Sequence, residues 1–320
     1  MRKKQLFIYS GMFLIAILAM LGITYGIRQA IRAGNLAGID WYDVNGKEFT
    51  IYTVEELYEV EILSNYYDFE GQTIKLGADI VVNEGNAEDW HTEAPKNKWQ
   101  PITEFAGTFD GQGHSISGLY GKAGSMSMGL FSETKESCVI KDLKVLNSYF
   151  SNKSNNGVGS ILGEGTGTIQ QVYSDAIIYG EGESNGGFAG LITDDLVMEE
   201  CWFDGQVTGE KRSNGGLIGW VDKKGDVTID NCLNTGFITF TGTGGTKTGG
   251  FIGGISEFTY RPDMSLVEIK NSFYLFLFAF LVGLEKDVLN KVKQKQSGRL
   301  FLVKCGRKIC SFSPRESRIK

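Results

Sequence analysis

The chain of 320 residues holds 38 Asp and Glu against 32 Lys and Arg, which gives a formal net charge of -6. By segment, residues 1–34 carry about +5, residues 35–284 about -19 and residues 285–320 about +8. The acidic middle segment excludes nucleic acid as a partner, because binding phosphates needs a basic face. With 43 Gly and only 4 Pro, the composition favours short elements separated by tight turns.

The first segment, residues 1–34, predicts a membrane anchor or signal segment. An uncharged, mostly apolar run from Gln5 to Ile27 is about 23 residues long, which is enough to span a bilayer as a helix. More positive charge precedes this run than follows it, so we expect the C-terminal region outside the cell. Because no A-x-A-like cleavage site follows, we favour a single-pass anchor in the cell membrane, in contact with lipid through residues 6–27, over a secreted protein.

Residues 35–98 are interpreted as a capping region. Thr53 followed three residues later by Glu56 forms a capping box, and the helix it opens is expected to end near Asn65. Part of an apolar face comes from Val54, Leu57, Tyr58 and Leu63. Strand-like runs follow at 71–76 and 79–82. Such a helix is suited to cover the apolar end and open strand edges of a repeat domain.

One glycine-rich pattern recurs between Gly129 and Asn271, at intervals of about 28 to 34 residues, which is typical of stacked supersecondary units. Each copy has Gly-Gly or Gly-x-Gly, apolar residues and another Gly. The clearest copies begin at Gly157, Gly186, Gly215 and Gly249. Apolar runs of only three to six residues, bracketed by Gly, favour strands over helices. Three short strands and three turns per copy predict one coil of a parallel β-helix, with five to six coils in all.

A second pattern sets the register between the copies. Quartets with an apolar or small residue in the first and fourth places begin at Ile140, Ile169, Met198, Ile229 and Ile269. Stacked coils place equivalent residues about 4.8 Å apart. The third place suits a turn that accepts the left-handed backbone region, which Asn tolerates. It holds Asp142, Gln171, Glu200, Asn231 and Asn271, so only the last two fit well and the ladder is expected to be imperfect.

The segment from Trp99 to Leu143 resembles the opening coil of bacterial surface proteins that carry the GLUG motif. The resemblance rests on the stretches Trp99 to Ile102, Phe105 to Leu119, Gly129 to Phe131 and Ile140 to Leu143. The Gly-Gly-Leu-Ile-Gly and Ile-x-Asn-Cys elements that follow resemble the GLUG repeats themselves, so residues 99–274 are assigned to the repeats. The resemblance covers about residues 50–274. It implies a right-handed parallel β-helix in an exported, adhesin-like or modular cell-envelope protein.

After Tyr274 the pattern stops. Residues 273–284 form an apolar run of about 12 residues, too short to span a membrane comfortably. The remainder is rich in Lys and Arg and shows no column of the repeat. Residues 275–320 are interpreted as an atypical, poorly packed tail, either a natural terminal element or the product of a truncated or frame-shifted gene.

Two patterns that suggest binding chemistry are interpreted as structural. The stretch Gly244 to Thr248 resembles a phosphate-binding loop but lacks Gly directly before Lys247 and a helix after it. His91 and His114 are the only two histidines, too few and too far apart in sequence for a His-based metal site.

Paired carboxylates are also expected to be structural. Stacking puts Glu199 beside Asp230, which approaches the spacing of about 5 to 5.5 Å used by retaining glycosidases. Their column continues with Lys141, Gln170 and Lys270, however, as a mixed solvated face would. The acidic residues Asp194, Asp195, Asp222 and Asp226 are weak calcium candidates. We therefore assign no catalytic, cofactor-binding or metal residues.

Cys201 and Cys232 share the inward fourth place on adjacent coils, within reach of a disulfide. We favour buried thiols, since free Cys packs as a small apolar residue, although an exported protein would permit the bond. Cys305 and Cys310 belong to the atypical tail.

The fifth place is the candidate ligand platform. It holds Lys144, Tyr173, Trp202, Leu233 and Phe273. If the fourth place points inward, the fifth points outward, so Tyr173, Trp202 and Phe273 are the residues we assign to a surface for sugar rings or a protein partner. The alternative is that these aromatic side chains are covered, or only stabilise the sheet.

The sequence thus predicts a non-enzymatic, exported, membrane-anchored β-helix that acts in adhesion, in ligand binding or as a rigid spacer. Its expected partner is an extracellular glycan or protein, with no cofactor. One rival is a carbohydrate-active β-helix enzyme, a polysaccharide lyase or glycosidase, because fold analogy does not decide function. Another is a truncated, non-functional remnant of a larger surface protein.

Overall fold

A computed structural model describes most of the chain between the two terminal segments. The described residues are 38–222, 225–242, 247–256 and 267–274, together with the backbone of two strands at 301–305 and 308–312. Within these ranges no helix is long and apolar enough to cross a bilayer. The predicted membrane segment, residues 6–27, lies outside them, as does the tail 275–320 apart from the two backbone strands.

The regular elements are short, as the glycine spacing predicted. In chain order they are β1 (Glu48–Ile51), α1 (Val54–Ser64), β2 (Thr73–Leu76), β3 (Ile80–Val81), the 3-10 helix η1 (Ala87–Asp89), β4 (Thr108–Asp110), β5 (Ser115–Ser117), β6 (Tyr120–Ala123), β7 (Phe131–Glu133), β8 (Val139–Lys141), β9 (Lys144–Leu146), β10 (Tyr149–Asn152), β11 (Leu162–Gln170), β12 (Tyr173–Ser174), β13 (Ile177–Gly180), β14 (Asn185–Gly186), β15 (Ala189–Glu199), β16 (Trp202–Phe203), β17 (Gln206–Gly209), β18 (Asn214–Gly215), β19 (Ile218–Val221), β20 (Val227–Asp230), β21 (Leu233–Asn234), β22 (Phe237–Phe240), β23 (Thr248–Gly249), β24 (Ile252–Ile255), β25 (Val267–Lys270), β26 (Phe273–Tyr274), β27 (Phe301–Cys305) and β28 (Lys308–Phe312).

Four parallel sheets run along the stack. Sheet 1 has 11 strands, with β1-β2-β4-β8-β11-β15-β19-β24 as its path and β7, β20 and β25 attached; sheet 2 follows β3-β5-β9-β12-β16-β21-β26; sheet 3 follows β6-β10-β13-β17-β22; sheet 4 follows β14-β18-β23. β27 and β28 pair antiparallel with each other. The fold is therefore an all-β parallel β-solenoid of about 7 turns.

The solenoid is longer than the five to six coils expected, and its coils hold one more strand. β1 pairs in parallel with β2, and β2 with β4, so two strands of the segment interpreted as a cap already stack as turns. β14 and its equivalents add a fourth short strand to the three expected in a coil. The run at 71–76 was predicted as a strand but assigned to the cap, whereas β1 and β14 were missed because they are only four and two residues long, which is too short to show a period.

Helix α1 begins and ends where the sequence placed it. The hydroxyl of Thr53 accepts a hydrogen bond from the Glu56 amide at 3.2 Å, and the Glu56 carboxylate accepts one from the Thr53 amide at 3.0 Å. Asn65 is the C-cap residue. Leu57 and Leu63 are buried in the main apolar core. The capping box and the apolar contact to the core are both confirmed.

The core is a stack of side-chain columns. Strand register places one column through sheet 1: Phe49, Ile74, Phe109, Ile140, Ile169, Met198, Ile229 and Ile269. Every member but the last is buried. The quartet alignment read from the sequence is thus confirmed over five turns, and it extends three turns further toward the amino terminus.

The turn after each quartet is regular in its backbone although its residues differ. Asp142, Gln171, Glu200, Asn231 and Asn271 have φ angles of 50°, 55°, 54°, 51° and 47°. The expectation of an imperfect ladder was wrong for the conformation. The backbone amides of Asp142, Gln171, Glu200 and Asn231 each donate a hydrogen bond to the following turn, which holds the left-handed backbone even where Gln or Glu must adopt it.

Glycine is required where a turn leaves sheet 4. A Cβ atom on Gly186 would collide with the carbonyl oxygen of Ala189, and one on Gly215 with that of Ile218 in the next turn. The same close approach recurs because the backbone repeats its path at each turn. This explains the Gly in the recurring pattern better than a preference for flexible loops does.

The left-handed turn yields a stability prediction. Replacing Asn231 with Val should lower the free energy of unfolding by about 1 to 2 kcal/mol, because a β-branched residue is strained in that region. Thr228→Val, in the neighbouring strand β20, is the matched control and should change it by less than about 0.5 kcal/mol. Urea unfolding of both variants measures the difference. Equal stability of the two would contradict the assigned turn conformation.

Candidate ligand-binding surfaces

The predicted aromatic column is in register. Tyr173 pairs with Trp202, Trp202 with Leu233, and Leu233 with Phe273 along sheet 2. All four side chains are half-buried. Strand pairing therefore brings Tyr173 and Trp202 together, whereas Leu233 separates them from Phe273.

Tyr173 and Trp202 form a fixed pair. Their ring centroids lie 4.7 Å apart with the planes at 63°, an edge-to-face arrangement. The indole nitrogen of Trp202 donates a hydrogen bond to the Thr235 hydroxyl at 2.8 Å, and that hydroxyl donates to Asp204 at 2.6 Å. Burial raises the pKa of the Tyr173 phenol. Aromatic pairs of this kind stabilise a fold by about 0.5 to 1.5 kcal/mol beyond area burial, so the pair has a structural role whether or not it also contacts a ligand.

A second surface is a cleft of about 1000 Å³ at the amino-terminal end of the solenoid. One wall is the loop that follows α1, and another is the segment around Gly46; the floor includes the outer side of sheet 1 near Glu133. Gln72 links the walls, because its amide donates to the carbonyl oxygen of Gly46 at 2.9 Å and its carbonyl accepts from the Tyr42 hydroxyl at 2.9 Å. Gln72 is itself buried.

Carboxylates are concentrated in the cleft. Glu133 and Glu164 are register partners on β7 and β11. Glu104 lies one turn earlier, where the Phe105 amide donates to the Glu133 carbonyl oxygen. Glu164 accepts a hydrogen bond from the Ser127 hydroxyl at 2.6 Å. Partial burial, and then the charges of Glu164 and Glu104, raise the pKa of the Glu133 carboxyl.

One lysine partly offsets this charge. The ammonium of Lys135 lies 3.2 Å from Asp68 and 3.3 Å from Glu104. Sequence reasoning missed the whole cleft. The sequence did contain a signal. Glu104, Glu133 and Glu164 follow one another at intervals of 29 and 31 residues, and each has an apolar residue two positions before it. Those intervals equal one turn of the solenoid.

The two histidines lie in separate environments. His91 Nδ1 is 3.0 Å from the Tyr149 hydroxyl, and His114 Nδ1 is 3.4 Å from an Asp79 carboxylate oxygen. Among the described residues, no group of three or more His, Cys, Asp or Glu could hold a metal ion. Lys247, from the stretch that resembles a phosphate loop, lies over the ring of Trp220 at 4.9 Å, and residues 243–246 lie outside the described ranges.

The carboxylates considered above as catalytic or calcium-binding candidates contact other groups of the fold. Glu199 and Asp230 are register partners as expected. Asp230 accepts a hydrogen bond from the Asn271 side chain at 2.9 Å, and Glu199 lies 3.5 Å from the Gln170 amide. The carboxylate of Asp195 accepts the Asp226 amide at 2.8 Å, which supports a turn.

Cys201 and Cys232 are buried free thiols, as is Cys138. The Cys201 sulfur lies 3.2 Å from the Glu199 carbonyl oxygen, and the Cys232 sulfur 3.3 Å from that of Asp230. Burial raises the pKa of the Cys201 thiol. The favoured interpretation, buried thiols in the inward column, agrees with this geometry.

The comparisons with known proteins leave the family open. No family model matches the chain, so membership of the GLUG family stays a prediction. Halomucin from Haloquadratum walsbyi (strain DSM 16790 / HBSQ001) is 27% identical over 175 residues, which are 53% of this chain but 2% of halomucin. The crystal structure of a "putative immunoglobulin A1 protease" from Bacteroides ovatus has a TM-score of 0.46 and 18% identity, covering 72% of this chain and 75% of that chain.

Thiol reactivity tests the inward column. In a background with Cys305→Ser and Cys310→Ser, the native protein should react with Ellman's reagent at least about 100-fold more slowly than the urea-unfolded protein, because only exposed thiolates react. Three thiols should then be released on unfolding without a reductant. Two missing thiols that appear only after reduction would show a Cys201–Cys232 disulfide and contradict the assignment.

Proposed function

We propose that this chain is part of an exported cell-surface protein in which a parallel β-solenoid acts in adhesion, in ligand binding or as a rigid spacer. The observation that carries the proposal is the continuous parallel stack from β1 to β26. About 7 turns at about 4.8 Å each correspond to a rise of roughly 34 Å. Each turn buries its apolar columns on its neighbours, so the stack holds its outer side chains at fixed spacings.

Three further features support a place on the cell surface. Halomucin, to which 53% of the chain is similar, is a surface protein. The sequence carries an apolar run at residues 6–27 that we propose as a single-pass anchor with the solenoid outside. The resemblance to GLUG repeats points to the same class, and right-handed winding of the solenoid belongs to this proposal.

The ligand surface we propose on sheet 2 is the pair Tyr173 and Trp202, with Phe273 as a separate contact two turns from Trp202. Half-buried aromatic faces bind sugar rings or apolar protein side chains. We propose no catalytic role. The rival, a carbohydrate-active enzyme, would need reactive residues that converge in one groove, whereas Glu199 and Asp230 contact the side-chain amides of Gln170 and Asn271 on a mixed face.

Binding to an array of glycans and host-matrix proteins tests the proposal. The full chain should bind at least one class, and Trp202→Ala should weaken that binding about tenfold or more, because the indole is lost from the pair. Phe237→Ala is the matched control. It removes an aromatic side chain that is 56% exposed on sheet 3, and it should leave binding unchanged.

Circular dichroism must show the same β content in both variants. Equal binding by the wild type and the Trp202 variant would remove the aromatic pair from the proposal. If the full chain bound nothing on the array, the spacer role would be favoured over adhesion.

A further inference from the structure

The cleft at the amino-terminal end has the size of a binding site and a strongly biased charge. Its volume of about 1000 Å³ lies at the upper end of the range for ligand sites, about 300 to 1,000 Å³. Five carboxylates line it, against two ammonium groups: Asp68, Glu70, Glu104, Glu133 and Glu164 face Lys47 and Lys135. Tyr42, Tyr66 and Tyr67 supply aromatic surface in the same walls. An anionic ligand would be repelled.

The register of the solenoid places like charges of the cleft side by side, which lowers the stability of the protein when no ligand is bound. Glu133 and Glu164 occupy equivalent places on adjacent strands, which lie about 4.8 Å apart. Like charges placed directly opposite each other destabilise a sheet. Burial is the largest cause of the raised pKa of Glu133; the charges of Glu164 and Glu104 raise it further, and the charge of Lys135 opposes them. A neutral residue at either place would relieve the repulsion.

The charges already present in the cleft leave this pair in need of a cation. Lys135, two residues after Glu133, attracts that carboxylate through its charge, but its ammonium is ion-paired with Asp68 at 3.2 Å and with Glu104 at 3.3 Å. The pair Glu133 and Glu164 receives one hydrogen bond from a neutral hydroxyl, that of Ser127. An ammonium or guanidinium group between the two carboxylates would convert the repulsion into attraction. Tyrosine faces nearby suit the aliphatic stem and the charge of the same side chain.

We propose that this cleft binds a segment of a partner protein that carries lysine or arginine, with Glu133 and Glu164 as the residues that receive the cationic group. The site lies on sheet 1 and in the amino-terminal loops, away from the Tyr173 and Trp202 pair on sheet 2. The two proposals are therefore independent. A negative test of the aromatic surface would leave the cleft proposal standing, and a negative test of the cleft would leave the aromatic surface standing.

The probe is a fluorescent peptide, acetyl-GKGRGKG-amide, titrated with the full chain at 50 mM salt. Glu133→Gln and Glu164→Gln should each weaken binding about five- to tenfold, which is about 1 to 1.4 kcal/mol. Each should at the same time raise the urea midpoint of the free protein, because like-charge repulsion is removed. Loss of affinity combined with a gain of stability is expected of a binding residue and not of a residue with a structural role only.

The matched control is Glu136→Gln. Glu136 is an exposed carboxylate near the cleft but is not part of its lining, so the same charge change should alter affinity less than twofold. Affinity of the wild type should fall with added salt. It should also fall as the pH drops through the raised pKa of Glu133, since protonation removes the charge that attracts the peptide.

Three results would overturn the proposal. The first is equal binding by the wild type and both Gln variants. The second is equal binding of acetyl-GSGSGSG-amide, which would indicate a neutral ligand. The third is calorimetric binding of Ca²⁺ that Glu133→Gln abolishes and that displaces the peptide, which would assign the pair to a metal ion.

Discussion

The parallel stacking of strands at one fixed spacing is the constraint from which the other features follow. Each strand bonds to an equivalent strand in the turns before and after it, so every position of a turn becomes a column. An inward column must keep similar size and polarity, as the one from Phe49 to Ile269 does. An outward column brings its side chains within about 5 Å of one another whether their charges agree or not.

This constraint decided how much the sequence could predict. The quartets from Ile140 to Ile269 and the fifth column were found because each recurs at an interval of 29 to 31 residues in three of four steps, with 40 residues in the last. The helix was found because a capping box is a local signal. The strand β1 was missed, and the run that became β2 was assigned to a cap, because both precede the glycine pattern. The cleft was missed because its walls come from segments far apart in sequence, around Gly46, Phe69 and Glu133, which only the folded chain brings together.

The backbone conformation at the third place of the quartets shows how tertiary structure overrides residue preference. Gln171 and Glu200 adopt positive φ angles that these residue types disfavour. The amides of both donate to carbonyl groups of the following turn, Gln171 to Glu199 and Glu200 to Asp230. Residue identity at this place could therefore vary while the backbone did not. Sequence reasoning judged the ladder by its chemistry and so underestimated its regularity.

The register of the stack is the central claim, and distances between spin labels measure it most directly. One pair of labels, on Lys75 and Glu199, is separated by four turns, with Asp110, Lys141 and Gln170 at the equivalent places between them. A second pair, on Lys75 and Lys270, is separated by six turns. Pulsed electron resonance should give about 19 Å for the first pair and about 29 Å for the second, at about 4.8 Å per turn. Distances that do not increase with the number of turns would contradict the parallel solenoid.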